Sequence, residues 1–226
     1  MPIRPGLPSD TKRLPAVTSR VAIAIFAKAP VAGFAKTRLI PRFGAETAAS
    51  LQRLMIERAI RTAVESRVGP VSLWCAPDCS AEVFSSLAAK YSLELHSQSG
   101  RDLGARMLHA FEVLTVVCPV IVIGCDCPAL QPSHLRKCAR DLGHGHDAVF
   151  IPTEDGGYAL IAAAKPWPQL FSDIPWGSSE VMSRTRTRAI ATGLRVAEPV
   201  MLWDVDTPED VDRAAALGLL NRTCEV

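Results

Sequence analysis

The sequence predicts an α/β protein with a mostly parallel central sheet and helices on both of its faces. Short apolar runs alternate with segments of helical periodicity, which is the pattern of consecutive βαβ units. Several runs are apolar at nearly every position, as expected for parallel strands that are covered on both sides. We assign one domain to residues 21–226 and a disordered tail to residues 1–20, which are rich in proline, serine and basic residues.

The first half of the chain contains four expected strands, at 21–27, 71–76, 92–97 and 119–126. The strand at 92–97 alternates like an edge strand, whereas 119–126 is the most apolar of the four. Helices are expected at 44–66, 80–91 and 102–117. The longest of them carries one apolar face, formed by Ala48, Leu51, Leu54, Met55, Ala59 and Ile60. Ser80 is expected to cap the second helix.

The second half of the chain continues the alternation. Strands are expected at 147–153, 157–163 and 199–206, and helices at 131–142, 178–193 and 208–220. Thr207 is a suitable N-cap for the last helix because Pro208 then occupies the first helical position, where proline is favoured.

Overall composition excludes several classes of protein. The chain has 25 Lys and Arg against 23 Asp and Glu, which argues against a nonspecific nucleic-acid binder. No apolar run approaches the roughly 20 residues of a membrane span, and residues 1–20 lack the apolar stretch of a signal peptide. The seven cysteines lie mostly within apolar runs, which is typical of reduced thiols. We therefore expect a cytoplasmic protein without nucleic-acid or membrane partners.

Charged residues follow the carboxyl ends of the expected strands. The first strand leads into the loop that carries Lys28, Lys36 and Arg38, and the fourth leads directly to Asp126. Another pair of strands is joined by "TEDGGY", and the last strand ends in "WDVD". Because ligands of open α/β sheets bind outside the carboxyl ends of the strands, we expect these segments to converge.

The loop with two lysines and an arginine is a candidate phosphate-binding loop. Gly33 and its small neighbours allow a ligand to approach the backbone, and phosphates favour both backbone N–H groups and cationic side chains. The glycine spacing matches neither the P-loop nor the dinucleotide-binding fingerprint. A solvated basic loop without a ligand is the alternative.

Asp126 is a candidate metal ligand. A carboxylate that ends an apolar strand is costly to desolvate unless it is paired or metal-bound, so a buried ion pair or a helix cap is the alternative. Helix capping explains Thr207 to Asp210 but leaves Asp204 and Asp206 unexplained. Carboxylates that face a phosphate-binding loop suit Mg²⁺ or Mn²⁺, which would bridge them to substrate phosphates.

Two further motifs offer candidate substrate contacts. Asp155, Gly156 and Gly157 form a tight turn between strands, and the two glycines also permit close approach of a sugar or base. Arg106 follows "DLG" near the expected strand ends and is a candidate ligand-binding residue together with Gly104.

Six motifs in order carry a family resemblance. They are "FAKAPVAGFAKTRL", "DLGARM", "VIGCDCPAL", "DGGYALI", "LFSDIPWGSSEV" and "DVDTPEDV". Together they resemble the bacterial DUF2064 family of GT-A-type proteins, whose members are often labelled arsenosugar-biosynthesis glycosyltransferases. The resemblance extends from about Val21 to Ala216. It implies the Rossmann-like GT-A fold of nucleotide-diphospho-sugar transferases, with the active site at the carboxyl ends of the strands.

The resemblance also implies roles for individual residues. The loop after the first strand would hold base and phosphates, and Asp126 and Asp206 would bind the metal. The catalytic candidates are Lys36, Arg38 and Asp126. The nucleotide-binding candidates are Ala27, Lys28, Ala29, Pro30, Gly33, Lys36, Arg38, Gly104 and Arg106. The substrate-binding candidates are Asp155, Gly156, Gly157 and Trp176.

Three functions follow as hypotheses. The first is a metal-dependent glycosyltransferase that moves a sugar from a nucleotide-diphospho-sugar to a small-molecule acceptor, with Trp176 facing the sugar or acceptor. "CDCP" has a single aspartate where the usual DxD motif of such enzymes has two. The second is a nucleotidyltransferase of the guanylyltransferase type, which would use the several positive charges of the loop for a nucleoside triphosphate. The third is a nucleotide-binding protein without catalysis.

Overall fold

The computed structural model describes residues 20–220. The strands are β1 Ala22–Lys28, β2 Val71–Ala76, β3 Glu94–Ser97, β4 Val120–Ile123, β5 Ala148–Pro152, β6 Tyr158–Ala163 and β7 Val196–Ala197. The helices are α1 Ile40–Phe43, α2 Ala45–Ser66, α3 Glu82–Tyr91, α4 Leu103–Leu114, α5 Pro132–Gly143, α6 Val181–Ala191 and α7 Pro208–Ala216. Short 3₁₀ turns occur at Thr37–Leu39 and Pro168–Leu170.

The seven strands form one sheet in the order β3-β2-β1-β4-β6-β5-β7. Strands β1 to β4 are mutually parallel and β7 is parallel to β5, whereas β6 runs antiparallel to both of its neighbours. The expected α/β fold with a mostly parallel sheet is therefore confirmed, with one reversed strand. Since β5 ends where β6 begins, their connecting turn lies at the same edge as the carboxyl ends of β1 and β4.

Apolar side chains cover both faces of this sheet, because successive strand residues point to opposite sides. On one face, strand residues such as Ile23 and Ile25 pack against α2, α3 and α5. On the other face, Phe26 and Trp74 pack against α4 and α6. Helices on both faces were expected and are confirmed.

A third apolar cluster fixes the end of the chain. Trp203 and Val205 pack with Leu51 and Met55 of α2 and with Ala214 of α7. Helix α7 begins as expected, because the Thr207 hydroxyl accepts a hydrogen bond from the Asp210 N–H and the Asp210 carboxylate accepts one from the Thr207 N–H. This packing holds the segment that contains Asp204 and Asp206.

Three expectations about local structure were wrong. Leu54 does not share the buried face of α2, because it is 44% exposed. Residues 199–206 do not form a strand: Leu202 makes one bridge to Thr153, and the Val205 N–H donates to the Asp126 carbonyl oxygen instead of continuing a ladder. Ser80 does not cap α3, which begins at Glu82 after Ala81, while the Ser80 N–H donates to Asp78. The expected tail at residues 1–20 lies, apart from Arg20, outside the described residues.

Within residues 20–220, no helix is both long and apolar enough to cross a membrane. The six cysteines of this part of the chain are free thiols. Burial raises the pKa of Cys127 and of Cys138 to about 12, so these two thiols pack in the core as neutral groups.

Candidate active site

A cluster of carboxylates forms where three chain segments meet at the edge of the sheet. Asp126 follows β4 after a two-residue turn, and Asp155 lies in the turn between β5 and β6. Asp204 and Asp206 arrive on the C-terminal segment, which is tied to β4 by the hydrogen bond of 2.8 Å from the Val205 N–H to the Asp126 carbonyl. The expected convergence of these segments is thus what the fold produces.

Lys36 connects two of these carboxylates. Its Nζ lies 2.7 Å from Oδ1 of Asp126 and 3.1 Å from Oδ1 of Asp206, and it donates to the Val205 carbonyl at 2.6 Å. Its side chain is only 6% exposed. Burial lowers the pKa of Lys36, but the charges of Asp126 and Asp206 outweigh this effect and hold that pKa above its ordinary value. Lys36 is therefore a buried cation on the inner side of the carboxylates.

The backbone at Lys36 has an uncommon conformation. Its φ is +46° and its ψ is +47°, in the left-handed region that residues with a Cβ seldom adopt. The strain is offset by three contacts of the ammonium group, with Asp126, with Asp206 and with the Val205 carbonyl. The last two partners lie about 170 residues further along the chain.

The outer oxygens of the two carboxylates face the solvent side. The side chains of Asp126 and Asp206 are 48% and 40% exposed, and the exposed Arg38 reaches Oδ2 of Asp206 at 3.4 Å. Oδ1 of Asp126 is buried and accepts no aligned hydrogen bond from residues 20–220, although Lys36 supplies a charge beside it. Residues 20–220 contain no cluster of three or more His, Cys, Asp or Glu side chains arranged to hold a metal.

These observations fit Mg²⁺ or Mn²⁺ better than a metal held entirely by protein. Mg²⁺ is usually bound by one or two carboxylates, with waters and substrate phosphates as its remaining ligands. Asp126 and Asp206, which both contact Lys36, could supply two such carboxylates, and Asp204 lines the same part of the cleft.

Asp204 is the most perturbed carboxylate of the cluster. Burial, together with the negative charges of Asp126, Asp155 and Asp206, raises the pKa of Asp204 to about 7. In the folded protein the ionised form of Asp204 is therefore destabilised relative to its protonated form. A bound cation would reduce this destabilisation.

The pH dependence of stability should show this effect in metal-free buffer. Because the pKa of Asp204 is raised from 3.8 to about 7 on folding, its contribution to stability falls as pH rises from about 4 to about 7 and is constant above. We expect Asp204→Asn to flatten this slope and to raise Tm at pH 8, by about 2 to 4 °C for each kcal/mol relieved.

Thermal unfolding between pH 4 and pH 8 in the presence of a chelator measures this difference. Asp173→Asn is the control, because Asp173 is an exposed carboxylate paired with Arg188. A slope that is the same in wild type and Asp204→Asn would contradict the prediction.

Three adjoining cavities, here called the lobes of one cleft, border the carboxylates. Lobe 1 has a volume of about 780 Å³ and lies between the loop after β1, the ends of β2 and β3, and α4. Lobe 2, of about 500 Å³, lies over β4 and β6 and reaches Trp176 and Ser178. Lobe 3, of about 290 Å³, lies under the cationic loop. Among the described residues, Asp126 alone lines all three lobes.

The candidate nucleotide-binding residues divide among several places. Ala27, Lys28, Ala29 and Arg106 line lobe 1. Lys28, Lys36 and Arg38 line lobe 3, and Arg38 also lines lobe 2. The remaining candidates, Pro30, Gly33 and Gly104, line none of the three lobes.

Gly33 and Gly104 have structural reasons for being glycine. Gly33 has a φ of +81°, which turns the loop after β1. Gly104 lies in α4 beneath the Trp176 indole, where an added Cβ would be 2.5 Å from the ring.

The candidate substrate-binding residues lie together at lobe 2, with one exception. Asp155, Gly157 and Trp176 line it. Gly156 does not: its φ is +90°, and an added Cβ would lie 2.0 Å from the Ser179 carbonyl oxygen. Its own carbonyl accepts a hydrogen bond from the Met182 N–H, so Gly156 anchors the start of α6 beside the lobe.

Gly104→Ala should disturb lobe 2 selectively. The new methyl group would displace the Trp176 indole, which packs edge-on against Tyr158 on the lobe wall. We expect a shift in tryptophan fluorescence and weaker binding of whichever ligand occupies lobe 2, with little change for a ligand of lobe 1. Gly143→Ala is the matched control, because nothing lies within 4 Å of its added Cβ. An unchanged fluorescence spectrum in Gly104→Ala would contradict the prediction.

Several residues that line the cleft were not among the candidates expected from the sequence. Gln52 of α2 and Phe34 line lobes 1 and 3, and Gln98 lines lobe 1, where its amide donates to the Trp74 carbonyl. A signal for Gln52 was present, because it is a polar residue among the mostly apolar buried residues of α2. Phe34 and Gln98 lie in irregular segments, where periodicity gives no such signal.

Comparison with known proteins assigns the family. The family model described as "Uncharacterized protein conserved in bacteria (DUF2064)" matches residues 59–178, more than half of the chain. This chain belongs to the DUF2064 family. The expected resemblance is thereby confirmed.

Two of the similar proteins share more than one quarter of their residues with this DUF2064 protein. The phosphoenolpyruvate guanylyltransferase of Mycobacterium marinum is 29% identical over 204 residues, which cover 86% of this chain and 88% of that protein. A crystal structure from Desulfovibrio desulfuricans G20, provisionally described as a nucleotide-diphospho-sugar transferase, is 28% identical with a TM-score of 0.77. It covers 92% of this chain and 88% of that chain. The DUF2064 protein is accordingly a transferase with the fold of nucleotidyl and nucleotide-sugar transferases.

More distant structures share the fold alone. The CMP:2-keto-3-deoxy-manno-octonic acid synthetase complexed with CTP aligns with a TM-score of 0.56 at 14% identity, covering 88% of this DUF2064 chain and 98% of that chain. The glucosyl-3-phosphoglycerate synthase of Mycobacterium tuberculosis, in complex with Mn²⁺ and UDP, aligns with a TM-score of 0.54 at 12% identity. It covers 89% of the DUF2064 chain and 77% of its own.

Proposed function

We propose that this protein is a metal-dependent nucleotidyltransferase that joins a nucleoside monophosphate from a triphosphate to a small phosphorylated acceptor and releases pyrophosphate. The observation that carries the proposal is the meeting of three lobes at Asp126. Nucleotidyl transfer from a triphosphate needs places for a nucleoside, an acceptor and a leaving pyrophosphate, which join at the α-phosphate. A three-lobed cleft around one carboxylate provides that arrangement.

The linings of the lobes suggest which part each would take. Lobe 1 is the largest and most of its lining is apolar, which suits a nucleoside. Lobe 3 is small and contains Lys28, Lys36 and Arg38, which suits the β- and γ-phosphates. Lobe 2, with Trp176 and the Ser178–Ser179 turn, is left for the acceptor.

The reaction follows from this placement. An oxygen of the acceptor phosphate in lobe 2 attacks the α-phosphorus and forms a new P–O bond. The bond between the α-phosphorus and the bridging oxygen breaks, and its electron pair leaves with pyrophosphate into lobe 3. Asp126 and Asp206 would hold Mg²⁺ or Mn²⁺, which neutralises charge on the reacting phosphates when bound.

The cationic residues of the chain have different parts in this scheme. Lys28 and Arg38 are exposed and can reach phosphate oxygens, whereas the Lys36 ammonium already lies against Asp126, Asp206 and the Val205 carbonyl and keeps the carboxylates in place. Arg106 lies at lobe 1, where it can contact the ribose or α-phosphate. The Mycobacterium marinum relative supports GTP as the donor and phosphoenolpyruvate as a first acceptor to test. The free thiols support a cytoplasmic setting.

A glycosyltransferase remains the second candidate, on one specific observation. Trp176 offers a ring at the wall of lobe 2, and the Desulfovibrio relative is described as a nucleotide-diphospho-sugar transferase. Aromatic side chains present apolar surface on which a sugar ring can pack. On this reading the sugar, rather than a phosphorylated acceptor, would occupy lobe 2.

A single panel separates the two functions. Thermal unfolding is followed with each nucleoside triphosphate and each nucleotide-diphospho-sugar, with and without Mg²⁺ or Mn²⁺. A ligand at 100 times its Kd adds about 2.7 kcal/mol of stability, which is easily measured. We expect metal-dependent stabilisation by GTP and pyrophosphate release when phosphoenolpyruvate is added. Stabilisation by one nucleotide-sugar with no response to triphosphates would favour the glycosyltransferase instead, and nucleotide binding without turnover would leave a non-catalytic binding protein.

A further inference from the structure

Gln52 is a largely buried polar residue that lines the cleft. The residue is only 6% exposed and lies on α2, yet its amide makes no hydrogen bond to any residue from 20 to 220. Neighbours on the same helix are satisfied: Arg58 donates to the Pro128 carbonyl and Thr62 to the Leu130 carbonyl. The amide atoms of Gln52 therefore have only the cleft to bond with.

The amide of Gln52 is not needed to hold the protein together. Its atoms are not among the buried polar atoms of residues 20–220 that lack a partner, so the cleft still reaches them, and an apolar side chain of the same length would lose no hydrogen bond to the described protein. The other buried side chains of α2 are mostly apolar, including Leu51, Met55 and Ile56, and the buried Thr62 and Ser66 donate to backbone carbonyls. A glutamine that bonds to none of the described residues and borders the cleft points to a bond formed with a ligand.

The position of Gln52 limits which part of the ligand it can reach. It lines both lobe 1 and lobe 3, as do Lys28, Phe34 and Asp126, so it borders the place where the two lobes adjoin. The proposed nucleotidyltransferase has the nucleoside in lobe 1 and the β- and γ-phosphates in lobe 3, so the link between the α- and β-phosphates lies at this place.

We propose that Gln52 binds the pyrophosphate portion of the triphosphate, donating a hydrogen bond from its side-chain amide to a β-phosphate oxygen; this inference rests on the proposed function. The amide is neutral, so it adds a donor without changing the charge beside Asp126. Because negative charge on the pyrophosphate increases as the α–β bond breaks, a donor fixed at this place stabilises the leaving group.

The test compares Gln52→Met with Thr62→Val. Methionine matches the length of glutamine and removes both amide groups; Thr62 is a matched control, since it is 7% exposed on the same helix and its hydroxyl is already bonded. Each protein is measured without ligand by thermal unfolding, and then titrated with inorganic pyrophosphate in Mg²⁺ by calorimetry. Gln52→Leu is a second variant in case the first does not fold.

We expect Gln52→Met to have an equal or higher Tm without ligand and an affinity for magnesium pyrophosphate at least about tenfold weaker than wild type, equivalent to about 1.4 kcal/mol. Thr62→Val should retain wild-type affinity. A lower Tm with unchanged pyrophosphate affinity would show that Gln52 is structural and overturn the inference, as would a variant unchanged in both. If wild-type protein itself does not bind pyrophosphate, the proposed function falls as well; if wild type and variant bind it equally, only the role of Gln52 falls.

Discussion

Asp126→Asn is expected to lower kcat by about 10³-fold while leaving the fold intact, because this side chain is the wall shared by all three lobes. The amide keeps the shape of the carboxylate but loses the charge that would hold a divalent cation beside the α-phosphate. The stabilisation of wild type by triphosphate with Mg²⁺ should also be lost. Pyrophosphate release and thermal unfolding with ligand measure the two effects.

Asp212→Asn is the control for this substitution, since Asp212 is an exposed carboxylate paired with Arg42 on the surface. It should behave as wild type in both measurements. If Asp126→Asn kept metal-dependent nucleotide binding and more than a tenth of the turnover, the metal-binding role of Asp126 would be wrong.

Lys36→Met is expected to reduce both stability and turnover. Without the ammonium group, Asp126 and Asp206 would repel each other and the left-handed backbone at residue 36 would lose the contacts that hold it. We expect a loss of about 2 kcal/mol, which lowers Tm by roughly 4 to 8 °C. Turnover should fall by about 10²-fold even at saturating nucleotide, because the carboxylates lose their orientation.

Lys28→Met is the control for Lys36→Met. Lys28 is the last residue of β1, at the start of the same loop, but its Nζ is exposed and donates to the Phe34 carbonyl. Stability should change by less than about 0.5 kcal/mol, while KM for the triphosphate should rise and kcat change little. Equal losses of stability in the two variants would show that Lys36 does not organise the carboxylates.

Local patterns were sufficient for most of the fold. Strands such as β1 and β4 are apolar at consecutive positions, and α2 has a long amphipathic face, so both could be located from sequence. The capping box at Thr207 was readable because its residues lie three apart. The direction of a strand could not be predicted in this way. The sequence of β6 indicates a strand, but not that it runs antiparallel to its neighbours.

Residues 199–206 show where a local pattern fails. Val200, Leu202, Trp203 and Val205 are apolar because they pack against the main core and against α2 and α7. The backbone bonds of this segment run to single residues on β5 and after β4 rather than along a strand. An apolar run reports burial, and it does not distinguish burial in a sheet from burial beside one.

The sequence predicted which residues come together in the candidate site, but not all of the contacts between them. The sequence indicated that Lys36, Asp126 and Asp206 would converge, and the structure places one carboxylate oxygen of each aspartate within 3.1 Å of the Lys36 ammonium nitrogen. It did not indicate that Lys36 would be buried against carboxylates. That outcome depends on residues about 170 positions apart, whose approach only the complete sheet determines.

The contact between Lys36 and Asp206 also affects when a newly synthesised chain can complete the candidate site. Six of the seven strands have been synthesised once Ala163 is reached, yet Asp204 and Asp206 come more than 40 residues later. At about 5 to 20 residues per second, a nascent chain would have its sheet for a few seconds before its second group of carboxylates exists. During that interval the first loop has no partner for Lys36 other than Asp126, and the growing polypeptide should not yet hold a nucleotide with its metal.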